Sequence, residues 1–433
     1  MNKGFPRDRG RPHQRFAPSR PAPAPPAEDS RPRPEKPAAG LPELPSGMAT
    51  VRLKSASYGA FLYQRMVGQV DGSPADGDIV AVLDKRGEFF GWGFYNSQSQ
   101  IALRMFSHEG PAPDDATLAA RVVRAVELRR RVLRLDESTD AYRLIHAEGD
   151  GLSGLVADRF ADYVVIELFS LAMFRRMRLI QDAFVDAGLS VRNFVVRADK
   201  SVAQQEGFRL GTLPENKPRG EVVITENGVK FQVNLSTGHK TGFFCDQREN
   251  RLALTQFTPG ASVLDVCCYT GGFSCYAARL GAAADVTAVD LDEAALATAG
   301  QNAALNEARI DFHHDDAFDF LRAAGREGRK WDVVVVDPSK FVPRRDQMET
   351  GLRKYADLNR LAAGVVAPGG VLLTCSCSGL VDPATFVRTV ARATRAAGRE
   401  LQILRTTSAG PDHPVMADAP ESAYLKAVWA RVL

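Results

Sequence analysis

Long hydrophobic runs are missing from this 433-residue chain, in which no uncharged apolar stretch reaches the roughly 18 residues of a membrane-spanning helix. The N-terminus is polar and proline-rich and carries no apolar signal segment, so secretion is not indicated and a cytoplasmic location is expected. Cysteine is scarce and one-sided: Cys245, Cys267, Cys268, Cys275, Cys375 and Cys377 all lie in the second half. Their spacings suit neither a disulfide framework nor a Cys-x-x-Cys zinc clamp, so reduced thiols and no metal site are expected. Net charge is also small, at +3, but unevenly placed. Residues 1–45 hold nine Lys/Arg against five Asp/Glu, together with 12 of the 25 prolines. Such a composition cannot bury enough apolar surface to offset chain entropy, so residues 1–47 are expected to be a disordered, solubilising tail rather than a specific RNA-contacting arm.

After the tail the chain becomes patterned. From about Met48, short alternating runs (Val51–Lys54, Ile79–Leu83, Phe89–Tyr95, Ile101–Met105) separated by Asp71-Gly72, Asp76-Gly77 and Arg86-Gly87 predict a small β-barrel over 48–115. Its Asp76-Gly77-Asp78-Ile79-Val80 run and aromatic strand resemble the PUA-like RNA-binding barrel. An arginine-rich helix is predicted from about Ala116 to Arg134, its polar face either lying along a phosphate backbone or simply solvated. A hairpin-like stretch at 142–159, a strand at 163–168, a helix at 173–187 and a strand at 191–196 complete an α+β central domain over 116–218. Within it Glu148, Asp150 and Asp158 are expected to pin tight turns. The remainder, 219–433, opens with a hairpin announced by Asn227-Gly228.

The chemistry concentrates around Asp265-Val266-Cys267-Cys268-Tyr269-Thr270-Gly271-Gly272-Phe273-Ser274. This reads as a strand, a glycine turn and a helix N-terminus, a geometry suited to a nucleotide. A second apolar run ends in Asp290, placed to grip the two hydroxyls of a ribose. The turn lacks the G-x-G-x-x-G of a dinucleotide site and carries an acid where pyrophosphate would be repelled. An acid beside the glycines instead suits a cation such as S-adenosylmethionine, favouring a methyltransferase over an NAD-dependent dehydrogenase.

A more specific likeness comes from Lys240-Thr241-Gly242-Phe243-Phe244-Cys245-Asp246-Gln247-Arg248-Glu249-Asn250-Arg251, standing just before the glycine turn. Together with the Glu148-Gly149-Asp150-Gly151-Leu152 stretch of the central domain, it resembles the ribosomal RNA large-subunit methyltransferase I family over roughly 48–433. The resemblance implies an α/β chain with a Rossmann-like class I methyltransferase domain behind the barrel and the central domain. It implies S-adenosylmethionine as cofactor, large-subunit ribosomal RNA as partner, and methylation of a cytosine at C5. Cofactor-binding residues would be Thr241, Phe244, Asp265, Gly271, Asp290, Asp316 and Asp337, with Asp316 accepting from the adenine amine. Trp331–Val336 reads as a buried strand leading into Asp337-Pro338-Ser339, where Ser339 stands in place of the family's usual second proline. Asp337 would hold the base edge, and Cys377, in Ser376-Cys377-Ser378-Gly379, would be the nucleophile that adds to C6. Cys375 is expected to pack, on a strand that ends before Ser376. His413 has no assigned role, and Glu421–Leu433 is expected to close the sheet. A guanine-nitrogen methyltransferase of the same fold and a non-catalytic RNA-binding relative stay open as alternatives, as does the choice between monomer and homodimer.

Overall fold

The computed structural model describes residues 44–212, 220–235 and 242–433; the proline-rich stretch through residue 43 and Thr241 lie outside the described residues. Strands β1 (Thr50–Leu53), β2 (Phe61–Tyr63), β3 (Val67–Asp71), β4 (Ile79–Leu83), β5 (Phe89–Tyr95) and β6 (Ile101–Ser107) pair in the order β2-β6-β5-β4-β1-β3. Period-two alternation sends Val51, Leu53, Val80, Val82 and Leu103 into one core, that of the expected barrel. Strands β2 and β3 are additions to the sequence reading. One is three residues long and the other carries Gly68 and Gln69, so neither shows the apolar alternation of a strand.

A four-stranded sheet comes next, ordered β10-β9-β8-β7, from β7 (Ala141–His146), β8 (Leu155–Phe160), β9 (Tyr163–Leu168) and β10 (Asn193–Arg197). Helix α1 (Asp115–Glu127) starts where the Asp114 carboxylate accepts the Thr117 backbone N–H, and it passes into a π-helical turn at Leu128–Val132. The expected solvated arginine row forms only in part: Arg124 and Arg131 are exposed, while other arginines turn inward. Arg129 is fully buried against Asp150, Arg121 lies 3.4 Å from the Phe106 ring centroid, and Arg130 and Arg131 pair with Asp136 and Glu127. Helical spacing alone could not reveal these partners, because three of the four belong to other elements. The single helix expected at 173–187 is two, α2 (Leu171–Arg175) and α3 (Met177–Asp186), and α4 (Lys200–Glu206) comes after β10. Gly149-Asp150-Gly151-Leu152-Ser153-Gly154 spells G-x-G-x-x-G, yet it joins the antiparallel β7 and β8 and leads into no helix. Its glycine at 149 serves packing instead: a side chain there would collide with the carbonyl of Pro414.

The hairpin β11 (Glu221–Glu226) and β12 (Val229–Asn234) turns through Asn227 and Gly228, both at positive φ. Beyond it come α5 (Arg248–Leu254), β13 (Ser262–Val266), α6 (Gly272–Arg279), β14 (Asp285–Asp290), α7 (Glu293–Leu305), β15 (Asp311–His314) and α8 (Ala317–Arg326). The chain then forms β16 (Trp331–Val336), α9 (Met348–Val365), β17 (Val366–Ser376), α10 (Pro383–Ala396), β18 (Leu401–Thr407) and β19 (Lys426–Val432). The seven strands run β15-β14-β13-β16-β17-β19-β18, with the first five parallel and β19 antiparallel to both neighbours. Successive valines of β16 serve opposite faces: Val333 and Val335 join one core, Val334 and Val336 the other. This is the Rossmann-like α/β architecture, and strand order reverses between β13 and β16, where open sheets of this kind bind ligands. Strand β19 does not close the sheet at its edge; it inserts between β17 and β18, and the half-exposed β18 forms that edge.

Candidate active site

The ends of β13, β14 and β16 bring the carboxylates together. Asp265 is not in the turn but inside β13, fully buried, where its Oδ2 accepts the Ser274 backbone N–H at 3.0 Å and the Ser274 hydroxyl at 2.6 Å. That ties the acid to the first turn of α6, where exposed N–H groups favour negative charge. Its other oxygen, Oδ1, is sealed from solvent with no hydrogen-bond partner among the described residues, an unmet buried acceptor. Burial pushes the Asp265 carboxyl up to about 6 against the Ser274 hydrogen bonds. Asp290, at the tip of β14, accepts the Tyr269 N–H at 2.7 Å and the Asp292 N–H at 2.9 Å. Asp316 caps α8 through the Phe318 and Asp319 N–H groups.

Between them the chain from β13 to α6 is strained, with Cys267, Tyr269 and Gly271 all in the left-handed region. Only the glycine adopts it freely. The Phe244 ring meets Tyr269 edge-on at 5.1 Å. Cys267, which sequence reasoning passed over, reports on the cluster: burial first, then the charges of Asp290, Asp337, Asp265 and Asp316, hold its thiol well above the ordinary range. The charges of these four carboxylates give this end of the sheet a negative potential, which favours a cationic ligand.

Asp337 stands just after β16 and is half-buried. Its Oδ2 accepts the Gln247 amide at 2.9 Å, the last step of a directed chain. The Trp429 indole donates to Thr407 Oγ1, Thr407 to Asn250 Oδ1, Asn250 Nδ2 to Gln247 Oε1, and Gln247 Nε2 to Asp337. Beside Asp337, Cys377 is half-buried and its thiol points to the Pro338 carbonyl, 4.0 Å away. Strand β17 runs through Ser376, longer than expected, because β19 pairs with it as far as Ser376 opposite Lys426. Cys375, opposite Ala427, is fully buried, and burial followed by the Asp337 charge drives its thiol well above the ordinary range. Of the two thiols, Cys377 is the one a substrate can reach.

Two family models match the chain, a PUA-like domain over residues 60–108 and an S-adenosylmethionine-dependent methyltransferase over residues 205–431. The ribosomal RNA large subunit methyltransferase I of Aeromonas salmonicida is 38% identical over 376 residues, covering 86% of this chain and 94% of that protein. The chain belongs to the ribosomal RNA large subunit methyltransferase I family. S-adenosylmethionine is its cofactor. The protein of the same name from Shewanella denitrificans is also 38% identical, over 83% of this chain and 92% of its own. Among solved structures, a putative methyltransferase from Streptococcus mutans shares the fold with a TM-score of 0.74 at 20% identity, covering 89% of this chain and all of that one.

In this member of the methyltransferase I family the central sheet and the methyltransferase sheet are joined by buried charge. Asp412 accepts both guanidinium nitrogens of Arg248, at 3.0 and 2.9 Å, and the Arg143 backbone N–H at 3.0 Å, while its carbonyl accepts Arg129 at 2.6 Å. His413 sits in that seam, its ring 5.0 Å from His146. Burial, with His413 and Arg143 nearby, lowers the His146 imidazole to about 2 and keeps it neutral. Gln247, Asn250 and Thr407 are the residues that sequence reasoning missed at Asp337. The Asp246-Gln247-Arg248-Glu249-Asn250-Arg251 run signalled importance, but not partners 90 to 164 residues away. Among the described residues no helix is long and apolar enough to cross a membrane.

Proposed function

We propose that this S-adenosylmethionine-dependent enzyme forms 5-methylcytosine in large-subunit ribosomal RNA, in the cytoplasm, through a covalent bond to Cys377. The observation that carries the reading is the contrast between two thiols on one strand end: Cys375 is sealed in the core, whereas Cys377 is accessible beside Asp337 at the ligand edge of the sheet. The ribosomal target is the one named in its relatives.

Asp265, Asp290 and Asp316, with Gly271 and Phe244, would hold the cofactor; the unmet Asp265 Oδ1 and the four-acid cluster fit its cationic groups. When bound, it supplies an electrophilic methyl group on sulfur. Cytosine C5 is too weak a nucleophile to take that group unaided. The Cys377 thiolate forms a bond to C6, and the C5–C6 π electrons move to C5, which accepts the methyl group. Loss of the C5 proton to a base restores the double bond and expels the thiolate. Asp337, held by Gln247, faces the N3/N4 edge and stabilises charge developing on the ring. A cavity of about 650 Å³ lies between Phe61 and Tyr63 of the barrel, His146 of the central sheet, and Lys340 and Tyr424 near the Cys377 loop. Its aromatic lining suits stacked, unpaired bases.

RNA carrying 5-fluorocytosine at the target tests the reading, because fluorine at C5 cannot leave as a proton. The wild type and Cys375→Ser should remain attached to such RNA on a denaturing gel, and Cys377→Ser should lose both attachment and turnover. Attachment mapped to Cys375 would reverse the assignment of the two thiols, whereas full activity in the double variant would remove the covalent step and point to the guanine-nitrogen reaction, which needs no cysteine.

A further inference from the structure

Six Lys/Arg side chains are buried among the described residues: Arg104, Arg129, Arg143, Arg248, Arg251 and Lys426. Each arginine has a carboxylate partner, namely Glu206, Asp150, Asp158, Asp412 and Glu226 in turn. Lys426, 8% exposed, has none among the described residues. Its ammonium donates to two neutral carbonyls, Ser378 O at 2.5 Å and Tyr424 O at 2.8 Å, which leaves one N–H direction unassigned. A buried ammonium without a counter-ion is costly. The fold retains this one at a particular place. The Lys426 backbone is opposite Ser376, and its side chain reaches the Ser378 carbonyl, so the residue brackets Cys377 from both sides.

We propose that Lys426 is a positioning residue for Cys377, the buried cation that holds the thiol in its anionic form before it adds to the pyrimidine. The proposal rests on the covalent reading above. The charged and titratable groups packed around the pair are few. Cys375 and Asp337 are on the sheet side, Tyr355 of α9 reaches Ser378, and Lys340 and Asp382 flank Lys426. The negative charge of Asp337 opposes a thiolate, which makes a nearby cation necessary. Burial draws the Lys426 ammonium down to about 8, with Cys377 and Asp382 opposing the fall and Lys340 adding to it.

The test is the pH profile of Cys377 alkylation by iodoacetamide in the intact enzyme, measured peptide by peptide by mass spectrometry. In the wild type the midpoint should lie below the ordinary thiol value of about 8.5. In Lys426→Met it should rise by about one pH unit or more, with the pH optimum of single-turnover methylation moving the same way, and Lys426→Arg should restore both. An unchanged midpoint in Lys426→Met would overturn the proposal. Should that variant not fold, as judged by S-adenosylmethionine binding, a wild-type midpoint at or above the ordinary thiol value overturns it equally. Wild-type attachment to 5-fluorocytosine RNA separates the two readings. If attachment persists while the midpoint does not move, only the role of Lys426 falls. If attachment never forms, the covalent mechanism falls and takes this proposal with it.

Discussion

At position 267 a thiol stands among four carboxylates, and that crowding sets the pH behaviour of the site. The charge of Asp290 adds to the cost of ionising Asp265, and a bound cation relieves it. Asp265, pushed up to about 6 by burial with the charge of Asp290 adding, attracts a cation only in its ionised form. Affinity for S-adenosylmethionine should therefore climb as pH rises through about 6, and calorimetry at several pH values should show it. A flat profile would remove Asp265 from the cofactor's contacts. Asp290→Ala deletes a charged acceptor at the proposed ribose position and should weaken binding by about 1.5–3 kcal/mol in the same assay. Asp290 also holds the Tyr269 N–H, so circular dichroism should confirm that the variant remains folded.

At the scale of elements, α5 with the short turn before it is a set of ties. Arg251 pairs with Glu226 of the hairpin, Arg248 with Asp412, and Gln247 with Asp337. The segment therefore aims Asp337 as well as packing against α6. Gln247→Met keeps the bulk of the side chain and removes the amide that donates to the carboxylate. Loss of one hydrogen bond to a charged group should reduce single-turnover methylation about tenfold or more while S-adenosylmethionine affinity stays within about threefold. Equal losses in both would assign Gln247 to cofactor binding instead. The hairpin β11–β12 was legible because Asn227-Gly228 specifies its turn. Strand β18 was not, because its alternation is weak and its pairing with β19 depends on a chain returning from 426–432.

Across the whole molecule, the seam at Asp412 makes the central sheet and the methyltransferase sheet one mechanical unit. Burial pushes the Asp412 carboxyl up, but His413 and Arg248 outweigh it and hold it well below the usual carboxylate range. A depressed carboxyl contributes stability that is present above its unfolded value and is lost as pH falls toward the folded one. Asp412→Asn removes the buried partner of Arg248 and leaves it only the half-exposed Glu249 at 3.3 Å, and should destabilise the protein by about 3–5 kcal/mol. Scanning calorimetry should show a single transition displaced downward. Two separated transitions would mean that the sheets unfold independently and that the seam couples them little.

Local pattern determined a good deal of this protein. Alternating and continuous apolar runs placed most strands, and the apolar run and glycines of 262–279 marked the strand, turn and helix at the point where strand order reverses, because each signal lies within a few neighbouring residues. Only the tertiary structure decided which groups face one another. It put β19 inside the sheet, turned Arg129 of the π-helical extension into a buried tie, aimed Gln247 at Asp337 and set the Lys426 ammonium on the Ser378 carbonyl. Those pairings join residues tens to hundreds of positions apart, and a side chain's partner across a fold is fixed by how strands stack and cross over, which spacing along the chain does not encode.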